Sequence, residues 1–307
     1  MLGQRKTAGQ IPGQRFIDPD VLTRIDNLEL VARTVVDGFI SGLHRSPMLG
    51  LSTDFAEHRA YMPGDDVRRI DWRVYARTDR LYVKEFEADT NANLNIVLDI
   101  SKSMDFGSGT VSKLKYAKFL AASLAYLSKR QRDRIGLVTF DNDLVDIIPA
   151  SAKHFETVLY CLDRLVPGKL SEYSKSFEKI SEHLRRRSLV VLISDLYEEP
   201  DLLLKAIANL RHGGNDLIVF HLLDPLELTL NLDEVSSVED LESGARIPIS
   251  GEQFRERYQR LVQDHQSELQ KKLGSGQIDY IFADISQPLD SILFSYLSDR
   301  ERQIRTR

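Results

Sequence analysis

Asp99, Ser101 and Ser103 occupy alternate positions in Asp99-Ile100-Ser101-Lys102-Ser103, a D-x-S-x-S pattern at the end of the apolar run 95–100. A second apolar run, SLVVLIS at 188–194, leads directly into Asp195. Carboxylate and hydroxyl oxygens are hard ligands, the kind Mg²⁺ takes in octahedral geometry while keeping some of its water. On a tight turn, alternate residues point the same way, so two serine hydroxyls can join a carboxylate on one ion. If the two apolar runs are neighbouring strands, Asp99 and Asp195 arrive at the same edge of a sheet. Two carboxylates do not exhaust the ion's demand for charge, and the metal would welcome an Asp or Glu from another protein. No general base or nucleophile accompanies the set, so the pattern points to recognition rather than turnover.

Other reactive residue types form weaker patterns. Asp99, Ser101 and Ser103 also suit a loop that caps the next helix without any metal, and Asp195 suits a cap of the helix after SDLYEEPD. Asp65, Asp66 and Asp71 with Arg68, Arg69 and Arg77 read as a salt-bridged knot around Trp72 rather than a second acidic site. Gly107-Ser108-Gly109 ahead of Lys113 lacks the spacing of a phosphate loop and reads as a flexible turn. The seven histidines show no H-x-H or H-E-x-x-H pattern, which argues against zinc. No G-x-S-x-G occurs, so an esterase triad has no support.

The elements that must position these residues follow from periodicity. Residues 95–100, 134–140, 188–194, 216–223 and 278–285 are continuous apolar runs of strand length. Residues 144–150 follow a short Asp141-Asn142-Asp143 turn and make an antiparallel edge. Helical spacing is read at 18–42, 113–130, 153–165, 174–186, 200–211, 254–273 and 288–302. Residues 79–89 alternate as a strand, and 226–250 read as short β elements. Apolar strands alternating with amphipathic helices predict an α/β fold, a doubly wound, mostly parallel sheet with both faces covered. Ligands of such sheets lie beyond the carboxyl ends of the strands, where strand order reverses.

The chain has 307 residues, enough to bury a full core. A net charge of -5 gives no support to a nucleic-acid binder driven by counterion release. The lone Cys161, in an apolar-periodic stretch, reads as a small core residue and fits a reducing compartment. The polar, Gly- and Gln-rich start, residues 1–16, reads as flexible and without a secretory signal. No apolar run approaches the roughly 20 residues that span a bilayer. A cytoplasmic protein without a membrane span is expected.

D-x-S-x-S at the end of the first core strand, with an Asp ending a later one, resembles the metal-ion-dependent adhesion site of von Willebrand factor A domains. That resemblance covers residues 93–223, with 278–285 as the sixth strand, and implies a strand order of 3-2-1-4-5-6. The upstream segment 55–87 is similar to the signature of a bacterial family, domain of unknown function 58. Phe55, Arg59, Tyr61, Pro63-Gly64-Asp65-Asp66, Arg69-Ile70-Asp71-Trp72 and Ala76-Arg77 carry it. Residues 1–92 then form a family-specific extension, and residues 93–307 a von Willebrand factor A-like domain with an insertion at about 226–275. The family's genes commonly accompany those of MoxR-type AAA+ ATPases. The resemblance therefore implies a Mg²⁺-dependent, non-enzymatic module, with Mn²⁺ or Ca²⁺ as substitutes, whose partner is such an ATPase or its client. The adhesion site's usual Thr maps to Ser171, with Ser174 as the fallback, and the customary Gly-Gly-Thr-Asp setting is missing. Two rivals stand beside it: a metal-dependent hydrolase using Asp99 and Asp195, and a scaffold whose metal site has decayed.

Overall fold

The computed structural model describes residues 17–45, 57–61, 72–85, 92–168, 173–184, 187–211, 214–230, 237–239, 246–248 and 252–294. Before the central sheet come α1 (Pro19–Leu22), α2 (Leu28–Arg45), β1 (Glu57–Ala60), α3 (Trp72–Thr78) and β2 (Tyr82–Glu85). The single helix expected over 18–42 is two. The Asp18 side chain accepts the Asp20 amide to start α1, and Asn27 Oδ1 accepts the Leu30 amide at 3.0 Å to start α2. Such side-chain caps interrupt a run that apolar spacing alone would continue. β1 and β2 pair antiparallel, Glu57 opposite Glu85.

The sheet begins with β3 (Asn93–Asp99), which leads through a 3-10 turn at Lys102–Asp105 into α4 (Lys113–Arg130). It continues with β4 (Arg134–Phe140), the edge strand β5 (Leu144–Ser151), α5 (Phe155–Arg164), α6 (Tyr173–His183) and β6 (Leu189–Ser194). Then come α7 (Pro200–Arg211), β7 (Asp216–Leu223), α8 (Pro225–Thr229), β8 (Ser237–Glu239), β9 (Arg246–Pro248), α9 (Glu252–Ser275) and β10 (Asp279–Asp284). Residues 289–294 open a last helix.

Among the described residues the main sheet has six strands in the order β10-β7-β6-β3-β4-β5, with only β4 and β5 antiparallel. Numbered within the sheet, this is the expected 3-2-1-4-5-6. The order reverses between β3 and β6, whose neighbouring carboxyl ends carry Asp99 and the step into Asp195. The apolar residues of β3 serve both covered faces of the sheet: Leu94, Ile96, Val97 and Leu98 are all buried.

One face packs on α4, α5 and α2, the other on α6, α7 and α9. Val31, Val35 and Phe39 of α2 belong to the same buried cluster as Leu120 of α4 and Ile96 of β3. The N-terminal extension thus completes the core.

One expectation needs correction. Residues 226–250 do hold the short β8 and β9, yet they begin with a helix, α8. Asp224, Pro225 and Glu227 form a capping box: the Asp224 side chain accepts the Leu226 amide at 2.7 Å, and Glu227 Oε2 accepts the Asp224 amide at 2.9 Å. Proline at the first helical position and reciprocal capping outweigh the strand-like composition that follows. No helix among the described residues is long and apolar enough to cross a membrane.

Candidate metal centre

β3 ends on Asp99, whose side chain is 0% exposed. Its Oδ1 accepts the Ser101 amide at 2.8 Å, which closes the chain into a tight turn. Its Oδ2 accepts the Ser194 hydroxyl at 2.7 Å from the end of β6. Ser194 Oγ in turn accepts the Leu196 amide at 3.0 Å and so shapes the step around Asp195. Ser101 and Ser103, both buried, share a hydrogen bond of 3.0 Å between their hydroxyls. Neither hydroxyl caps α4. That role falls to Ser112, whose Oγ accepts the Lys115 amide, and Ser101 makes no side-chain cap bond to the 3-10 turn. The simple cap reading of the motif therefore fails. Asp195 likewise points into the site, on Lys113, and not along the next helix.

The electrostatics fit a cation. Burial, then the negative charge of Asp195, push the Asp99 carboxyl up to about 6, against hydrogen bonds from Ser101 and Ser194 that pull it down. Asp195 is 0% exposed, and its Oδ1 has no hydrogen-bond partner among the described residues. A buried carboxylate oxygen left unpaired is costly unless a cation completes it. Asp99, Ser101 and Ser103 thus form a buried, hydrogen-bonded group of hard oxygen donors, and Asp195 lies near enough for its charge to raise the Asp99 carboxyl; all four are ligand types suited to Mg²⁺. Ser171, the expected third-loop ligand, lies outside the described residues, and Ser174 stands in the first turn of α6. Gly168 donates its amide to the Ile100 carbonyl at 2.6 Å and so lies beside the motif. A side chain at Gly168 would collide with Asp141. Of the upstream Asp and Arg cluster, Asp65, Asp66, Arg68, Arg69 and Asp71 lie outside the described residues, while Arg77 lies in the last turn of α3.

Two functional side chains escape sequence reading. Lys113, expected only as the first residue of the 113–130 helix after a flexible turn, does open α4 but is 0% exposed. Its ammonium lies 2.8 Å from Asp195 Oδ2 and 2.6 Å from Glu227 Oε1, with the Tyr197 ring 4.8 Å away. Burial alone would lower the Lys113 pKa, but Asp195 and Glu227 overcome it and hold the group raised. Burial raises Glu227, and Lys113 offsets part of that. The Gly107-Ser108-Gly109 turn is tied down too: Ser108 donates its amide and hydroxyl to Asp224 at 2.8 and 2.6 Å. The D-x-x-E capping signature at 224–227 was the one local signal for Glu227; nothing local marks Lys113.

His221, beside Ser194 in the sheet, is 0% exposed and bonded through Nδ1 to the Tyr280 hydroxyl at 2.7 Å. Burial lowers its pKa to about 3, with Asp195 pulling the other way, so the ring is neutral. Cys161 packs against the core, as expected, and burial followed by nearby Asp146 pushes its thiol up to about 11.

A family model described as a protein of unknown function, DUF58, matches residues 57–268. The uncharacterized protein Rv1480 of Mycobacterium tuberculosis is 30% identical over 236 residues, 74% of this chain and 73% of that protein. An aerotolerance-related membrane protein from Bacteroides fragilis aligns at 17% identity over 68% of this chain and 99% of its own, with a TM-score of 0.48. The SpRpn10 VWA domain aligns at 12% identity over 66% and 94%, with a TM-score of 0.38. The architecture rests on the strand order rather than on these likenesses. The family match overlaps the 55–87 segment singled out from sequence, and the chain belongs to the DUF58 family.

Proposed function

We propose that this chain is a Mg²⁺-dependent protein-binding module of the cytoplasm, without turnover of its own, that works with a MoxR-type AAA+ ATPase or its client in the maturation of a complex. The observation that carries the reading is the buried donor set at the switch point, with an Asp195 oxygen that has no hydrogen-bond partner among the described residues. Asp99, Ser101 and Ser103 form the primary ligand loop. Asp195 binds directly or through water, and Ser171 is the candidate for the remaining hydroxyl. The ion, when bound, supplies a Lewis-acidic point that an Asp or Glu of the partner completes. The chain's own residues hold that point in place: Ser194 fixes Asp99, and the Ser101 amide fixes the turn.

A hydrolase would need a base beside the metal. His221 is buried and lowered to about 3, a poor base, and Glu227 is engaged by Lys113. These features favour binding over catalysis.

The test is capture of the MoxR-type ATPase by tagged wild type and by Asp99→Asn, in Mg²⁺ and in EDTA. Retention by wild type in Mg²⁺, with at least about tenfold loss in EDTA and in the variant, is expected. Equal capture in all four arms would favour a scaffold. Phosphoester hydrolysis that disappears in Asp99→Asn would favour the hydrolase.

A further inference from the structure

Lys113 occupies an unusual place. An ammonium in the first turn of a helix faces the positive end of the helix dipole, where acidic residues are favoured. Here it is the first residue of an 18-residue helix and is 0% exposed. Two carboxylates offset that cost, and they are held differently. Glu227 is anchored: Oε2 accepts the Asp224 amide at 2.9 Å inside the capping box, which leaves Oε1 for the lysine at 2.6 Å. Asp195 gives Oδ2 to the lysine at 2.8 Å, while Oδ1 has no hydrogen-bond partner among the described residues. Asp195 would therefore be shared between a tethered ammonium and any cation that Asp99, Ser101 and Ser103 collect. A point charge on a flexible four-carbon stem can shift its weight from one acceptor to the other.

We propose that Lys113 is a built-in competitor for Asp195, and that Glu227 is the seat to which it withdraws when a divalent ion binds. This inference rests on the metal-site reading above. The lysine neutralises part of the buried negative charge in the metal-free chain, so the fold stands without an ion. The same lysine weakens the site, which becomes a low-affinity, exchangeable one. Lys113 is a positioning residue, since it acts on the metal through Asp195.

The full-length chain is titrated with Mn²⁺ alone, and bound ion is followed by the loss of the free Mn²⁺ paramagnetic resonance signal. Circular dichroism confirms folding. Wild type is compared with Lys113→Met, Glu227→Gln, the double variant Lys113→Met/Glu227→Gln, and Asp99→Asn. Lys113→Met is expected to bind about tenfold tighter and Glu227→Gln about tenfold weaker, as the lysine then leans on Asp195 alone. The double variant decides the cause. It keeps the net charge of wild type and leaves neither member of the pair buried and unpaired. Tighter binding by the double variant supports direct competition, whereas binding equal to wild type overturns it and leaves only a net-charge effect. If Asp99→Asn abolishes binding while every Lys113 and Glu227 variant stays within about twofold of wild type, the competitor proposal falls and the metal site stands. If no protein in the series binds Mn²⁺, the metal-site reading itself falls. Binding by the double variant but not by wild type would support the competition in its strongest form.

Discussion

Ser194 shows how a single hydroxyl holds two strands' ends to one purpose. It donates to Asp99 Oδ2 at 2.7 Å and accepts from the Leu196 amide at 3.0 Å, with no exposure to solvent. Ser194→Ala removes both bonds from a buried carboxylate and a buried amide, a loss of about 1–3 kcal/mol. A urea unfolding curve should show that loss as a lower midpoint at unchanged slope. The same variant should bind Mn²⁺ more weakly, because Asp99 loses the contact that orients it. Asp99, Ser101, Ser103 and Asp195 are legible from sequence because their spacing is local and each follows an apolar run. Lys113, Glu227 and His221 are not. Lys113 meets Asp195 across 82 residues and Glu227 across 114, and no local pattern encodes contacts of that span.

At the scale of elements, α8 is small but heavily used. Its cap residue Asp224 is 1% exposed, accepts the Leu226 amide, and takes both donors of Ser108 from the loop before α4. Asp224→Ala should cost about 2–3 kcal/mol, more than an exposed cap, since a charged acceptor and a loop tether are lost together. Chemical denaturation measures the loss, and Ser108→Ala should reproduce only part of it. Strand positions are readable from continuous apolar runs of strand length, whereas the strand order follows from the resemblance to von Willebrand factor A domains. The start of α8 departs from the β reading because the reciprocal cap at 224–227 fixes it, and the break between α1 and α2 has a similar origin: side-chain caps, not apolar spacing, set the boundary.

For the molecule as a whole, the two ends of the described chain meet. Asp290, at the start of the last helix, is 3% exposed, accepts a hydrogen bond from the Ile17 backbone and lies against Gly38 of α2. Burial pushes its carboxyl up to about 6 from 3.8, against those backbone hydrogen bonds. A carboxyl whose pKa is higher folded than unfolded binds its proton more tightly in the folded state. Its contribution to stability is therefore greatest at low pH, and declines as pH rises from about 4 through about 6. Asp290→Asn should remove that decline. In thermal melts the variant should match wild type near pH 4 and exceed it by about 2–4 °C at pH 7.5.

The family match ends at residue 268 and begins at residue 57, yet the fold uses both flanks. β10 at Asp279–Asp284 covers the outer edge of β7, and α2 supplies Val31, Val35 and Phe39 to the cluster around α4. A gene fragment trimmed to the matched span would expose a bare strand edge and an oily helix face at once, the usual recipe for inclusion bodies. Expression clones meant for crystallisation or binding work should therefore start no later than Ile17 and run past Leu293, however tempting the narrower boundaries look.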